Sequence, residues 1–353
     1  MKTTVYGLNP SVVFPFHVQA VQYVPESSWS NGLTLIFFHA TGTHKESFEP
    51  VVHCLFRDPL AVHVRDVWCI ENPNHGSSAV LNRALLDTPE YRDKWNTIEY
   101  CRAAHTFLNS TEHGIDFRAR PLVGLSHSAG SSALLMLQRM HPLVKFKGLV
   151  LMDAPILPIG TPATRALLDL FGNGAKRKPN TWHSLEAARE ELSRTVFKHW
   201  DPFSVDLFVN HAISPEETSG NVTLLCSVRQ EAAYFLSPET DLAKVPFEIF
   251  LQLVNEDRLP MHIILCLNDE YKQVMFPGFW DIEQYLCWCN RRGKALEMKQ
   301  FQIDNSNRMS RDRASVQIVE GGHMFPQTQP AICAQAIAQA LERIQLQQIS
   351  SRL

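Results

Sequence analysis

Three observations predict an α/β architecture, a mostly parallel sheet flanked by helices. Short apolar runs bounded by turn residues recur along the chain, and segments of helical periodicity separate them. One run, Leu122-Val-Gly-Leu-Ser-His-Ser-Ala-Gly130, passes through two serines straight into a helical pattern. Strands covered by helices on both faces read as continuous hydrophobic runs, which is the pattern found here.

The strand-like runs are Leu33 to Phe38, Val62 to Ile70, Leu122 to Leu125, Leu149 to Met152, His262 to Leu267 and Val316 to Val319. The clearest helical segments are Ser47 to Phe56, Tyr91 to Leu108, Ser131 to Met140 and Ala331 to Leu346. Between about Ile156 and Asp257 the alternation stops and helices with breakers take over, at Ser184 to His199, Pro202 to Ala212 and Val228 to Phe235. This predicts a helical cap over 156–257 inserted between two late strands, a core formed by 1–155 and 258–347, and a tail over 348–353. The stretch Gly172-Asn-Gly-Ala-Lys-Arg-Lys-Pro179 reads as a loop.

At 353 residues and 45% apolar, the chain can bury a large core. A net charge of −3, with no basic block longer than Lys176-Arg177-Lys178, leaves no electrostatic footprint for nucleic acid. The N-terminal segment lacks a signal-like apolar stretch, and no run approaches the roughly 18 residues of a membrane span. The expectation is a chain neither secreted nor threaded through a bilayer. The eight cysteines are dispersed, mostly in apolar stretches, and read as reduced thiols. Only Cys287-Trp-Cys289 is closely spaced, and without a second pair or a nearby histidine cluster no metal is expected. The sequons at Asn109 and Asn221 are then chance matches. The final Ser351-Arg352-Leu353 is a conservative variant of the Ser-Lys-Leu tail read by the peroxisomal import receptor, so peroxisomal localisation is expected.

The segment 122–130 has the pattern of a nucleophile elbow. The strained strand-to-helix turn needs small residues two before and two after the nucleophile. Ser128 has Ser126 and Gly130 there, and Ser126 has Gly124 and Ser128, so local spacing leaves both open. A serine hydroxyl is activated by a histidine whose tautomer is fixed by a carboxylate. Ile318-Val-Glu-Gly-Gly-His323 runs a short strand into two glycines and a histidine, which suits an imidazole brought over the carboxyl edge of a sheet.

These features resemble the α/β-hydrolase superfamily over nearly the whole chain, with the cap least similar. The resemblance implies an eight-stranded, mostly parallel sheet. His323-Met-Phe-Pro before the last helix resembles the family's histidine loop and implies His323 as general base. Glu71-Asn-Pro-Asn-His-Gly-Ser-Ser78 resembles the family's Asp-x-x-Gly-His-Gly-x-Ser turn. His127 before Ser128, Gly130 after it and His141-Pro142 beyond the helix fit the family's Gly-His-Ser-x-Gly elbow if Ser128 is the nucleophile, with Ser126 a small spacer. Pro260-Met-His-Ile-Ile-Leu-Cys-Leu-Asn-Asp269 resembles the strand ending in the family's Gly-x-x-Asp, which implies Asp269 as the acid. Asp153, at the end of the preceding strand, ranks second and Glu270 third. His39-Ala-Thr-Gly-Thr43 resembles the family's His-Gly-x-x loop, so the oxyanion donors expected are the Ala129 and Thr41 N–H groups, and His39 reads as a buried histidine bonded to backbone.

Within the superfamily, Lys198-His-Trp-Asp-Pro202, Asp206-Leu-Phe-Val-Asn-His211, Arg229-Gln-Glu-Ala-Ala-Tyr234 and the Ser-Arg-Leu tail are similar to fungal peroxisomal abhydrolases of host-selective toxin pathways that make epoxy-decatrienoic acid esters. The implied activity is serine hydrolysis of an ester, thioester or related acyl bond of a fatty-acid-derived or polyketide substrate, without a cofactor. Acyl transfer or carbon–carbon hydrolysis on the same residues, or a non-catalytic ligand binder, are the alternatives. An epoxide hydrolase would carry a carboxylate at position 128. Trp182, Phe197, Trp200, Phe203, Phe208, Tyr234 and Phe235 are expected to shape an apolar entrance or the core of the cap.

Overall fold

Leu33–Phe38 (β3), Val64–Ile70 (β4), Leu122–His127 (β5), Phe146–Met152 (β6), Met261–Cys266 (β10) and Ala314–Val319 (β11) pair in parallel as the order β4-β3-β5-β6-β10-β11. In the computed structural model, residues 1–58, 63–156, 162–216, 219–236, 244–266, 299, 301–310 and 313–350 are described, with backbone alone for 162–164, 166–167 and 347–350. Two antiparallel strands, Lys2–Leu8 (β1) and Val18–Val24 (β2), extend the sheet beyond β4 to eight strands.

Every residue of β3, β5 and β10 is buried, because helices cover the sheet on both faces. Alternate side chains divide between two cores. Ile36, Phe38, Leu149, Leu151, Ile263 and Leu265 join one cluster, and Leu35, Phe37, Val150, Met152, Ile264 and Cys266 the other. Each fully buried Phe or Leu of these strands stabilises the fold by about 1.5–3 kcal/mol relative to exposure.

Helices Glu49–Leu55 (α1), Gly76–Leu86 (α2), Thr97–Asn109 (α3) and Gly130–Leu137 (α4) connect the early strands, and Pro330–Ser350 closes the chain. The last turn of α2 ends at Leu86, and α3 is capped by Asn96, whose side chain accepts the Ile98 N–H. The apolar face of the final helix, including Ile337, Leu341 and Ile344, packs into the second cluster.

Between β6 and β10 lie Pro162–Arg177 (α5), Leu185–Arg194 (α6), Pro202–Ala212 (α7), Val228–Leu236 (α8) and Lys244–Glu256 (α9). Two findings differ from the sequence reading. The segment expected to be a loop at Gly172–Pro179 is helical as far as Arg177. Gly172 serves close packing: a Cβ there would lie 2.3 Å from Leu236 Cγ on α8. The region read as helices with breakers also contains Thr181–Trp182 (β7), Ile213–Pro215 (β8) and Val222–Leu224 (β9), paired as a small antiparallel sheet. Such two- and three-residue strands are too short to leave a periodic signal. Trp182, Phe197, Trp200 and Phe208 form a separate small core with Leu192 and Val205, Tyr234 and Phe235 join the main core, and Phe203 is exposed.

Candidate active site

The strand β5 ends at His127 and α4 starts at Gly130, so Ser128 occupies the turn between them with φ 51°. That left-handed conformation costs a serine about 1–3 kcal/mol and persists only where neighbours over-determine it. Here the Ser128 N–H donates to Met152 O at 2.9 Å, and the Ser131 N–H to Ser128 O at 2.9 Å. The turn admits no bulk: a Cβ on Gly130 would stand 2.4 Å from the Phe38 carbonyl oxygen. Ser126 is buried and donates to Ser131 Oγ at 2.9 Å, within the turn.

A second strained residue ends the adjacent strand. Asp153, one residue past β6, has φ 43°, and its N–H donates to Ile264 O on β10 at 2.8 Å. His323 arrives from the loop after β11, where Gly321 takes φ 120°, a conformation an L side chain rarely adopts. Its Nε2 lies 2.7 Å from Ser128 Oγ and its Nδ1 2.6 Å from Asp153 Oδ2. With Nδ1–H donated to the carboxylate, Nε2 is left to accept from the serine hydroxyl. Burial pushes the Asp153 carboxyl up, but the hydrogen bond and charge of His323, with the nearby Lys299 ammonium, outweigh it and hold the group well below the usual carboxylate range.

The loop after β3 packs against the elbow. His39 is buried; its Nδ1–H donates to Ala40 O at 2.9 Å and its Nε2 accepts the Asn72 N–H at 3.0 Å. Burial drives its pKa down to about 3, so it is a neutral strut between the β3 and β4 loops. Gly42 donates to Nε2 of the buried His75 at 2.9 Å, tying Thr41 and its neighbours to the same turn. Ala129 stands at the N-terminus of α4, and its carbonyl accepts Tyr234 Oη–H from α8 at 3.0 Å.

Glu71, which opens the 71–78 turn, belongs to a buried ionic cluster beside this loop. Lys45 Nζ contacts Glu71 Oε2 at 2.8 Å, Glu46 Oε1 at 2.9 Å and Ser77 Oγ at 2.6 Å. His44 and His211, the latter on α7, lie 3.1 and 3.5 Å from Glu46. Glu71 fills the position where the related turn carries Asp, and burial pushes its carboxyl up to about 7 despite the Lys45 charge.

A cavity of about 130 Å³ opens beside the site. Thr41, Met324, Phe171, Trp182, Phe197 and Trp200 are among its lining residues, and Lys178 and Glu231, themselves ion-paired, supply its charge.

The structure thus brings together Ser128, His323 and Asp153, with Ala129 and Thr41 on neighbouring segments. The carboxylate on His323 is the one ranked second from sequence. Asp269 and Glu270 lie outside the described residues, as do Cys287, Cys289, Ser351, Arg352 and Leu353. Among the described residues no cluster of His, Cys, Asp or Glu could hold a metal ion, and no helix is long and apolar enough to cross a membrane. Sequence reasoning missed Lys299, which reaches the acid from a helical stretch with no recognisable motif.

The relatives agree with this architecture. The chain is 26% identical over 212 residues to a type I acyl-CoA thioesterase, mpaH', of Penicillium brevicompactum, a match covering 58% of this chain and 45% of that one. It therefore spans about half the length of that relative. It is 27% identical over 242 residues to the abhydrolase domain-containing protein AFT2-1 of Alternaria alternata, covering 64% of this chain and 84% of the other. Among solved structures, the peroxisomal alpha-beta-hydrolase Lpx1 of Saccharomyces cerevisiae superposes with a TM-score of 0.69 at 15% identity, covering 97% of this chain and 88% of that one. The sequence model of the alpha/beta hydrolase family matches residues 35–336, and with the eight-stranded sheet and its strand-to-helix turn this means that the chain belongs to the alpha/beta hydrolase family.

Proposed function

We propose that the chain is a serine hydrolase that cleaves an ester or thioester of a lipid-like acyl group, with Ser128 as nucleophile, His323 as general base and Asp153 as the acid. The observation that carries this reading is the continuous hydrogen-bonded line from Ser128 Oγ through His323 to Asp153, at 2.7 and 2.6 Å. Ser128 Oγ attacks the acyl carbonyl carbon while His323 Nε2 takes its proton. The tetrahedral oxyanion is met by the Ala129 and Thr41 N–H groups, the first strengthened by the N-terminal dipole of α4. His323 then returns the proton to the departing thiol or alcohol, and a water deprotonated by the same imidazole releases the acid. Asp153 fixes the imidazole tautomer and stabilises the imidazolium.

The mostly apolar cavity beside Thr41 and Met324 favours an apolar acyl group over a sugar or peptide. The thioesterase name of one relative supports a thioester substrate with a thiol as leaving group, and the resemblance of the cap phrases to host-selective toxin abhydrolases supports a fatty-acid-derived substrate in secondary metabolism. The Ser351-Arg352-Leu353 tail supports a peroxisomal site of action.

A fluorophosphonate probe tests the reading. Covalent labelling of the intact chain that is lost in Ser128→Ala and retained in Ser126→Ala is the expected result. Labelling that survives Ser128→Ala overturns the assignment, and a folded chain that takes no label favours a ligand-binding role.

A further inference from the structure

His323 uses one oxygen of the Asp153 carboxylate; the other faces a lysine. Lys299 Nζ is 3.5 Å from Asp153 Oδ1, and it is anchored by donating to Cys266 O at 2.7 Å, with Cys266 Sγ at 3.4 Å. Cys266 itself turns to the same carboxylate, its thiol 3.2 Å from Oδ2 and its N–H 3.4 Å from Oδ1. Both side chains are buried, Lys299 at 9% exposure and Cys266 at 1%. An ammonium in such a place is costly unless it is paired and hydrogen-bonded, and here it faces the Asp153 carboxylate and the Cys266 carbonyl.

Resting on the serine-hydrolase reading, we propose that Lys299, anchored on Cys266, is a positioning residue for the triad: its ammonium fixes the Asp153 carboxylate against His323 and moderates the negative charge that the imidazole feels. A carboxylate acting alone stabilises the imidazolium and lets the base protonate at higher pH. A cation on the far oxygen offsets part of that field, so the base stays free to lower pH. The other titratable groups facing the pair among the described residues are His127 and Cys266. His127 is neutral, driven down to about 3 by burial, and burial pushes the Cys266 thiol far up. Neither changes charge near neutrality, so neither obscures a difference in the acid limb between the parent and the Lys299 variants.

The test is the pH dependence of kcat/KM for a p-nitrophenyl ester, measured on the full chain and on Lys299→Met, Lys299→Gln and Lys299→Arg. Both neutral variants are expected to move the acid limb upward by about one pH unit, with kcat roughly tenfold lower; Arg is expected to return the limb to its parental position. The Gln variant keeps a donor for the Cys266 carbonyl, so it reads the charge with the anchor retained. Folded neutral variants with an unmoved limb overturn the inference and leave Lys299 a packing role, as does failure of both neutral variants to fold while Arg folds. A parent chain that neither turns over the ester nor accepts a fluorophosphonate overturns the serine-hydrolase reading and this inference with it.

Discussion

Nε2 of His127 donates to the main-chain carbonyl of His323 at 2.8 Å, so the residue before the proposed nucleophile holds the loop that carries the proposed base. The two rings lie 4.9 Å apart, and both residues are buried. His127→Phe keeps an aromatic of similar shape but leaves the His323 carbonyl unsatisfied, at a cost of about 1–3 kcal/mol. The expected outcome is a lowered Tm and a kcat reduced about tenfold or more with little change in KM. Steady-state kinetics alongside thermal unfolding check it, and an unchanged kcat would show that the loop is held by other contacts.

The identity of the acid is open to a direct comparison. Asp153→Asn should lower kcat by roughly four orders of magnitude, because the imidazole is then held in the wrong tautomer. Asp269→Asn should leave kcat within a few-fold. The reverse ranking would return the role to Asp269.

Gly130→Ala places a methyl group 2.4 Å from the Phe38 carbonyl oxygen, a backbone atom that cannot step aside without moving β3. Destabilisation of about 1–3 kcal/mol is expected, with a Tm lower by several degrees. Fluorophosphonate labelling should slow as well, since the same displacement shifts Ser128. Calorimetry on the purified variant measures the first effect and gel-based labelling the second.

Lys45 is the one ammonium in contact with both Glu46 and Glu71 among the described residues. Removing it in Lys45→Met strands buried carboxylate charge, and a loss of about 3–5 kcal/mol is expected from urea titration. The double variant Lys45→Met/Glu71→Gln should recover part of that loss. No recovery would mean that Lys45 contributes through packing alone.

Two carboxyls set opposite slopes of stability against pH. Asp153 is depressed in the folded state, so its contribution is present above the unfolded value of about 3.9 and is lost as pH falls through the folded one. Glu71 is raised to about 7, so its contribution is complete below the unfolded value of about 4.3 and is lost as pH rises through the folded one. Urea midpoints should therefore decline on going from about pH 4.5 to about pH 7.5 relative to Glu71→Gln, in which that slope is absent. Identical midpoint profiles for parent and Glu71→Gln would contradict the raised carboxyl.

Local patterns carried most of the fold. The six parallel strands are legible because each contains a short apolar run bounded by turn residues, even where a polar residue such as Asp66 or Gln317 interrupts it, and the elbow is legible because its steric demand falls on residues adjacent in sequence. The antiparallel strands β1 and β2 are not, because Lys2–Leu8 is polar and largely exposed, and its partner carries glutamines. The neighbours of Ser128 leave it and Ser126 both open, and only the resemblance of His127-Ser128-x-Gly130 and His141-Pro142 to the family elbow favours Ser128; the two glycines before His323 mark it as a loop histidine at a sheet edge. The carboxylate stays open in sequence, because Asp153 and Asp269 each follow an apolar run and spacing does not say which one a histidine loop meets. In the described structure that choice falls to Asp153, through a left-handed turn at the end of β6 held by β10, and only the packed sheet brings it within 2.6 Å of an imidazole 170 residues away. The ammonium on its other oxygen, Lys299, is likewise a product of tertiary packing: no local pattern requires it, and Asp153 and Cys266, which it meets, belong to other elements of the fold.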